Sequence, residues 1–147
     1  MENVIVRVFT IYIVGITGIW KAIPVGIALK SHPIEIAVFT ALGSITTVIL
    51  LFYFGESVKR WVLKNLSKEK LEKRKGKFSH IVDKYGIVGL GIITPGLFGP
   101  ITAIIVGLLI IKNTSKLMPH LIAGIILWSF LLTWAATTSF DFLKNWI

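Results

Sequence analysis

The chain has 147 residues, of which 54% are hydrophobic and 16% are charged, and its formal net charge is +9. Soluble domains carry about 25% charged residues, so this composition excludes an ordinary soluble globular protein. No Asp, Glu, Lys or Arg occurs in residues 36–55, 85–111 or 117–140. Each of these runs is long enough to cross a hydrocarbon core about 30 Å thick. The sequence therefore predicts an all-α polytopic membrane protein, which we place in the cell membrane.

Several classes of chemistry are excluded by what the sequence lacks. It contains no cysteine, so disulfides, thiolate metal sites and cysteine nucleophiles are impossible. His32, His80 and His120 lie near segment ends without ligand spacing, and no serine–histidine–aspartate set or phosphate-binding loop is recognisable. We expect no enzymatic activity, no catalytic residue, no metal site and no cofactor. No signal-peptide cleavage site follows the N-terminus, which we expect to be retained.

The first apolar segment, residues 4–29, is interrupted by Lys21, Pro24 and Gly26. Proline removes a backbone hydrogen bond and glycine relaxes the backbone, so the chain is predicted to leave helical geometry there. Non-helical backbone at membrane depth survives only when it is buried in protein or borders a water-filled cavity. A simple proline kink in a fully spanning helix is the alternative.

The second apolar segment, residues 34–54, reads as an uninterrupted span that begins after Pro33, where a missing N–H costs little. Small residues recur along it at helical spacing. They are Thr40, Gly43, Ser44 and Thr47. Such a stripe favours close helix packing, with a polar pathway lining as the alternative.

A basic stretch separates the two apolar halves, since ten of the 16 Lys and Arg residues lie between Lys59 and Lys84. Short basic loops stay in the cytoplasm, and this one is predicted to attach to anionic lipid headgroups. Apolar residues line one face before Gly76 and one face after it, which predicts two short amphipathic helices in the interface. A solvated hairpin outside the membrane is the alternative. Nucleic acid is not an expected partner, because no recognised binding module accompanies the charge.

The third segment, residues 85–111, contains "TPGLFGP" near its middle, with Pro95, Gly96, Gly99 and Pro100. The flanking residues 85–94 and 100–111 would form helices of about 15 and 18 Å, each half a membrane. If the segment dips in and returns, Lys84, Lys112 and Lys116 all stay in the cytoplasm, as the positive-inside rule favours. We therefore favour a re-entrant hairpin over a full crossing.

The fourth segment, residues 117–140, is uninterrupted and has Pro119 near its start. Both halves of the chain thus place a broken segment before a span, in opposite orientations, which typifies an inverted-repeat transporter. The repeat is one of pattern, not of close residue identity. We predict a single membrane domain, 1–147, with repeat 1 (1–55), a basic linker (56–84) and repeat 2 (85–147). Two spans and two hairpins are too few to enclose a transport path by themselves, so a homodimer is expected.

These segments resemble a known family, the small multidrug export proteins, which are similar to the broader DedA (SNARE-associated) membrane family. The resemblance is carried by "AIPVGIAL" in the first segment and by "KYGIVGLGIITPGLFGP" and "ITAIIVGLLI" in the third. At the first site the family pattern is Glu-x-Arg-Gly-Ala-Ile-Pro-x-Gly. The residues that match it are Ala22, Ile23, Pro24 and Gly26. Gly18 stands in place of the Glu and Trp20 in place of the Arg, with Lys21 one position later. The resemblance implies two facing re-entrant hairpins and small-molecule or lipid transport.

Lys21 is the residue most indicative of a binding site. A lysine near the membrane centre costs ~2.5–3.5 kcal/mol on insertion scales, so such residues are usually functional or paired. Snorkelling of its ammonium group to an interface is the alternative. Pro24 and Pro100 are suited to start half-helices whose N-termini attract anions. We predict an anion site at the midplane, between the two hairpin tips. Its residues are Lys21, Pro24, Gly26, Thr94, Pro95, Gly96, Gly99 and Pro100.

The positions of the acidic residues also favour an anionic substrate. All seven lie at segment ends or in the basic stretch: Glu2, Glu35, Glu56, Glu69, Glu72, Asp83 and Asp141. No carboxylate is therefore expected at mid-membrane to bind a cationic drug or carry a proton. We predict a small-molecule exporter or a translocator of an anionic, phosphate-bearing lipid or other substrate. The alternative is a non-transporting membrane scaffold or assembly protein whose broken segments merely pack.

Overall fold

The computed structural model describes the backbone of residues 2–146 and the side chains of residues 3–142. Helices make up 91% of the chain and no strand occurs in the described residues, which confirms the all-α prediction. The elements in chain order are α1 (Glu2–Thr17), α2 (Ile19–Ala28), α3 (Pro33–Tyr53), α4 (Gly55–Asn65), α5 (Lys68–Phe98), α6 (Pro100–Ile110), a short 3-10 turn (Thr114–Lys116) and α7 (Met118–Trp146).

Three helical stretches are long and apolar enough to cross a membrane: Pro33–Tyr53, Lys68–Phe98 and Thr114–Phe142. The first and last correspond to α3 and α7, which confirms that the two segments predicted to be uninterrupted form helices of spanning length. Their apolar lengths identify the chain as a membrane protein.

Two glycines, Gly18 and Gly99, break the apolar helices that were expected to be discontinuous. Gly18 has φ 138° and ψ 152°, and Gly99 has φ 86° and ψ 158°, a backbone region that essentially only glycine occupies. The prediction of a break at Pro24 is wrong, because α2 continues through that residue. Pro24 removes one helical hydrogen bond, and a membrane helix tolerates this when its neighbours satisfy the freed group.

The basic stretch forms α4 and the first part of α5. The second amphipathic helix was expected to begin after Gly76, but it begins at Lys68 and runs through that glycine. A helical glycine costs only about 1 kcal/mol relative to alanine, and the buried Leu71 and Phe78 hold the helix on either side of it. The break comes instead at Gly86, with φ 64° and ψ −157°. Beyond Gly86, the apolar part of α5 is short.

The chain forms two compact units, Met1–Thr46 with Ile125–Ile147, and Thr47–Gly124. In the first unit α1 packs on α2 and also crosses α3 at two glycines. A Cβ atom on Gly43 would overlap Tyr12 O and lie 2.9 Å from Gly15 C. The Ser44 hydroxyl donates to Gly15 O at 3.0 Å. The predicted role of the small-residue stripe in close helix packing is confirmed at Gly43 and Ser44.

The second unit also has helices that meet at glycines. A Cβ atom on Gly124 of α7 would overlap the carbonyl oxygen of Gly91 in α5 and lie 2.9 Å from Ile92 Cα. The apolar end of α5 packs on α6, and a Cβ atom on Gly107 of α6 would overlap the Leu117 side chain. Glycine therefore lets backbones or large side chains approach closely in this unit as well.

Candidate functional site

The first group of predicted site residues lies on α2, in the first compact unit. Lys21 follows the Gly18 break within the first turn, and its side chain is exposed with no ion-pair partner among the described residues. Pro24 is exposed and lines an apolar cleft together with Trp20 and Ile23. Within this unit the lysine lies on the surface.

Gly26 belongs to the site predicted between the two hairpin tips, and in the structure it packs against a neighbouring helix. In the structure a Cβ atom on Gly26 would lie 2.7 Å from Cγ1 of Ile36, so its neighbour is α3 of the same unit. Ile36 is fully buried. Gly26 therefore serves the packing of α2 on α3.

The second group of predicted site residues closes α5 and opens α6, in the second compact unit. Thr94, Pro95 and Gly96 are buried in the last turns of α5. The Thr94 hydroxyl is buried without a hydrogen-bond partner. After the Gly99 break, Pro100 is the first residue of α6, which confirms that a proline opens this helix.

Gly99 is required by its conformation and not by a lack of space. A Cβ atom there would meet no heavy atom within 4 Å, but its φ of +86° is rarely adopted by other residues. Five of the predicted site residues thus lie in one continuous segment at the junction of α5 and α6, which we call the second tip: Thr94, Pro95, Gly96, Gly99 and Pro100. The other predicted site residues belong to the first unit, and their meeting with this tip stays a prediction.

Two residues that the sequence did not predict as part of the site, Lys77 and Phe78, lie against this tip. Both belong to the basic part of α5. The Phe78 and Phe98 rings pack edge to face, with centroids 5.0 Å apart. Lys77 Nζ lies 5.7 Å from the centroid of the Phe98 ring, within the range of a cation–π interaction. The apolar periodicity around Phe78 was a signal that it is buried. Nothing in the sequence paired it with Phe98, twenty residues later.

The fold and the tip define a polytopic membrane protein whose short apolar helices are broken at glycines and joined by a basic segment. The family model described as "Putative small multi-drug export protein" matches residues 19–131. This match covers about three quarters of the chain, which therefore belongs to that family. No curated protein and no solved structure matches the chain. The wider relationship to the DedA family stays a prediction.

Proposed function

We propose that this protein is a membrane transporter that exports small molecules or translocates an anionic, phosphate-bearing lipid or other substrate. The transport path is built from two inverted repeats, each containing a helix pair broken at a glycine. The observation that carries this proposal is a local residue-level match between α2 and α6, together with the glycine that precedes each, in two halves that otherwise repeat only in pattern.

The matching stretches are "GIWKAIPVG", residues 18–26, and "GPITAIIVG", residues 99–107. They share Gly, Ala, Ile, Val and Gly at the same offsets, and each opens with a glycine at positive φ and extended ψ. The same four offsets are buried in both. These residues are Ile19, Ala22, Ile23 and Gly26 in α2, and Pro100, Ala103, Ile104 and Gly107 in α6. Broken helices at corresponding places in two halves of a chain are the best pointer to a transporter binding site.

Helix lengths support a re-entrant path for the second pair. The apolar end of α5 after Gly86 has twelve residues and α6 has eleven, or about 18 and 16 Å, against the ~30 Å that a full crossing needs. Lys84 precedes the pair and Lys112 follows it, so a return to the cytoplasmic side keeps both lysines there. By the repeat, the first pair enters and returns on the opposite side, which places both termini outside.

Lys77 constrains what surrounds the second tip. In this arrangement, the tip at Phe98 lies within the membrane and the Lys77 ammonium group lies beside it. A charged group at that depth is tolerated where it borders a water-filled cavity. We therefore place an aqueous recess on the cytoplasmic side of this tip, and Lys77 lines it.

An anionic substrate fits the charges in both pairs. The first turn of α6 after Pro100 presents backbone N–H groups that have no acceptor within the helix, and such groups favour anions. Lys77 adds a full positive charge beside the second tip, and Lys21 adds one in the first pair. No Asp or Glu occurs in residues 3–34 or 84–140, so a cationic substrate would find no carboxylate there.

Three further expectations complete the proposal. The protein acts as a homodimer in the cell membrane, because the four apolar segments of one chain enclose little volume. Its basic 59–84 segment is cytoplasmic, and the lysines of this segment that lie away from the second tip contact anionic headgroups. Its similarity to the DedA family extends to the paired re-entrant tips.

Transport by reconstituted protein tests this function. Proteoliposomes would carry fluorescent phosphatidic acid, with fluorescent phosphatidylcholine and a cationic dye as comparison substrates. We expect protein-dependent movement of phosphatidic acid, reduced at least about tenfold in Lys21→Gln, since a charge-assisted hydrogen bond contributes ~1.5–3 kcal/mol. Lys64→Gln is the matched control and should transport normally. Faster movement of the cationic dye, or none of any substrate, would count against the proposal.

A further inference from the structure

A narrow cleft of about 40 Å³ lies in the second compact unit, between α6 and the helices of the basic segment. Val62 of α4, Leu71 of α5 and Val106 of α6 are buried at its base. Leu66 and Leu109 are half-buried along its walls. The cleft is therefore a narrow apolar groove along the surface of α6.

Two basic side chains, Arg74 and Lys75, are the only charged residues that line this groove in the part of the chain the structure describes. Arg74 also lines an adjoining cleft with Lys70, Lys73 and Lys77. Those four residues recur at i, i+3, i+4 and i+7 along α5, so they share one helix face. Like charges at this spacing repel each other, and only Lys73 has an acidic residue, Glu69, three or four positions away along the helix. The groove is apolar inside and strongly basic at its mouth.

We propose that this groove binds one anionic phospholipid from the bilayer, with an acyl chain along α6 and its phosphate at Arg74 and Lys75. Lining residues run from Thr102 to Ile110 on α6, about 12 Å of helix, which gives several methylene groups an apolar surface. An anion at the mouth relieves the repulsion along α5. The site requires only that the protein is in a membrane and does not depend on transport.

A lipid fits this groove better than the other occupants do. A free phosphate would use the basic mouth and leave the apolar walls exposed to water. An acidic protein segment would need partners along the apolar walls, which offer it only the Thr102 hydroxyl. The helix that forms one wall, α6, consists of apolar residues apart from Thr102. Such a helix is expected to be surrounded by lipid, so a lipid is at hand to enter the groove.

Native mass spectrometry of the purified full-length protein tests the site, with phosphatidylglycerol and phosphatidylcholine of identical chains in 0.15 M ammonium acetate, where the Debye length is about 8 Å. We expect about tenfold tighter binding of phosphatidylglycerol, which corresponds to ~1.4 kcal/mol. Arg74→Gln/Lys75→Gln should remove that preference. The matched control, Lys64→Gln/Lys68→Gln, removes the same charge outside the groove and should keep it.

Two further arms test the apolar part. Leu109→Trp fills the groove and should weaken binding of both lipids, with thermal unfolding as the check that it folds. Glycerol 3-phosphate, the headgroup without chains, should fail to displace phosphatidylglycerol from the unmodified protein. Displacement by glycerol 3-phosphate would show a headgroup site without a chain groove. Equal losses in the two double variants would show diffuse charge attraction, and either result overturns the proposal.

Discussion

Replacement of Gly43 by alanine tests the helix crossing on which the first compact unit depends. The added Cβ atom would overlap Tyr12 O and lie 2.9 Å from Gly15 C, both of them backbone atoms of α1. No rotamer change relieves a clash with backbone, so α1 and α3 must separate. The same separation would stretch the hydrogen bond of 3.0 Å between Ser44 Oγ and Gly15 O.

The size of the effect follows from these two losses. Overpacking a tight interface costs about 1–3 kcal/mol, and an interhelical hydrogen bond in a membrane protein contributes ~0.6 kcal/mol on average. We therefore expect Gly43→Ala to destabilise the protein by about 1.5–3.5 kcal/mol. A Cβ atom on Gly76 meets nothing within 4 Å. As the control, Gly76→Ala should stabilise by up to about 1 kcal/mol through helix propensity.

The assay is reversible unfolding of the detergent-solubilised protein in SDS, followed by the fluorescence of its five tryptophans. Gly124→Ala tests the equivalent crossing in the second unit and should behave like Gly43→Ala, because its Cβ atom would overlap Gly91 O. Unfolding of Gly43→Ala at the same SDS fraction as the parent protein would refute the crossing. So would a larger loss of stability in Gly76→Ala.

Two other predictions concern the helix breaks and the basic segment. Gly99→Ala should lower the free energy of unfolding by about 1–3 kcal/mol in the same assay. Backbone strain alone causes this loss, since φ is +86° and the space beside the residue is open. An unchanged stability would mean that the break relaxes to ordinary geometry. A peptide of residues 57–85 should become helical on anionic vesicles and lose this helicity as salt is added, followed by circular dichroism. Equal helicity on neutral vesicles would show that its lysines do not drive attachment.

The parts of the fold that sequence predicts are those fixed by local chemistry. The spans α3 and α7 follow from apolar runs longer than a membrane is thick. The opening of α6 at Pro100 follows from the fixed φ of proline and its missing N–H. Neither feature depends on what the rest of the chain does.

The first break was misplaced because proline is the stronger signal in an isolated helix. Inside a packed membrane protein, the missing hydrogen bond at Pro24 is compatible with a continuous helix. The break lies instead at Gly18, whose positive φ is a backbone conformation that essentially only glycine adopts. The residues around Gly18 do not predict this conformation. The sign appears when Gly18 is aligned with Gly99, because Ala22, Ile23 and Gly26 then match α6 residue by residue.

The surroundings of the second tip could not be predicted for another reason. The contact between Phe78 and Phe98 joins two arms of α5 on either side of Gly86. The positive φ of Gly86 redirects the helix. A single glycine in the sequence does not predict this change, because α5 continues through Gly76 without a break. The lysines were expected to lie along headgroups, and the nearness of Lys77 to the tip appears only in three dimensions.

Membrane topology is the most direct test of paired re-entrant repeats. Single cysteines at Asn3, Asn113 and Asn145 can be labelled cleanly with an impermeant maleimide, because the chain has no cysteine of its own. We predict that the cysteines at Asn3 and Asn145 react from outside the cell and that the one at Asn113 reacts only from the cytoplasm. Reaction of the Asn113 cysteine from outside, with the other two cytoplasmic, would mean that both broken segments cross the membrane and would contradict the account.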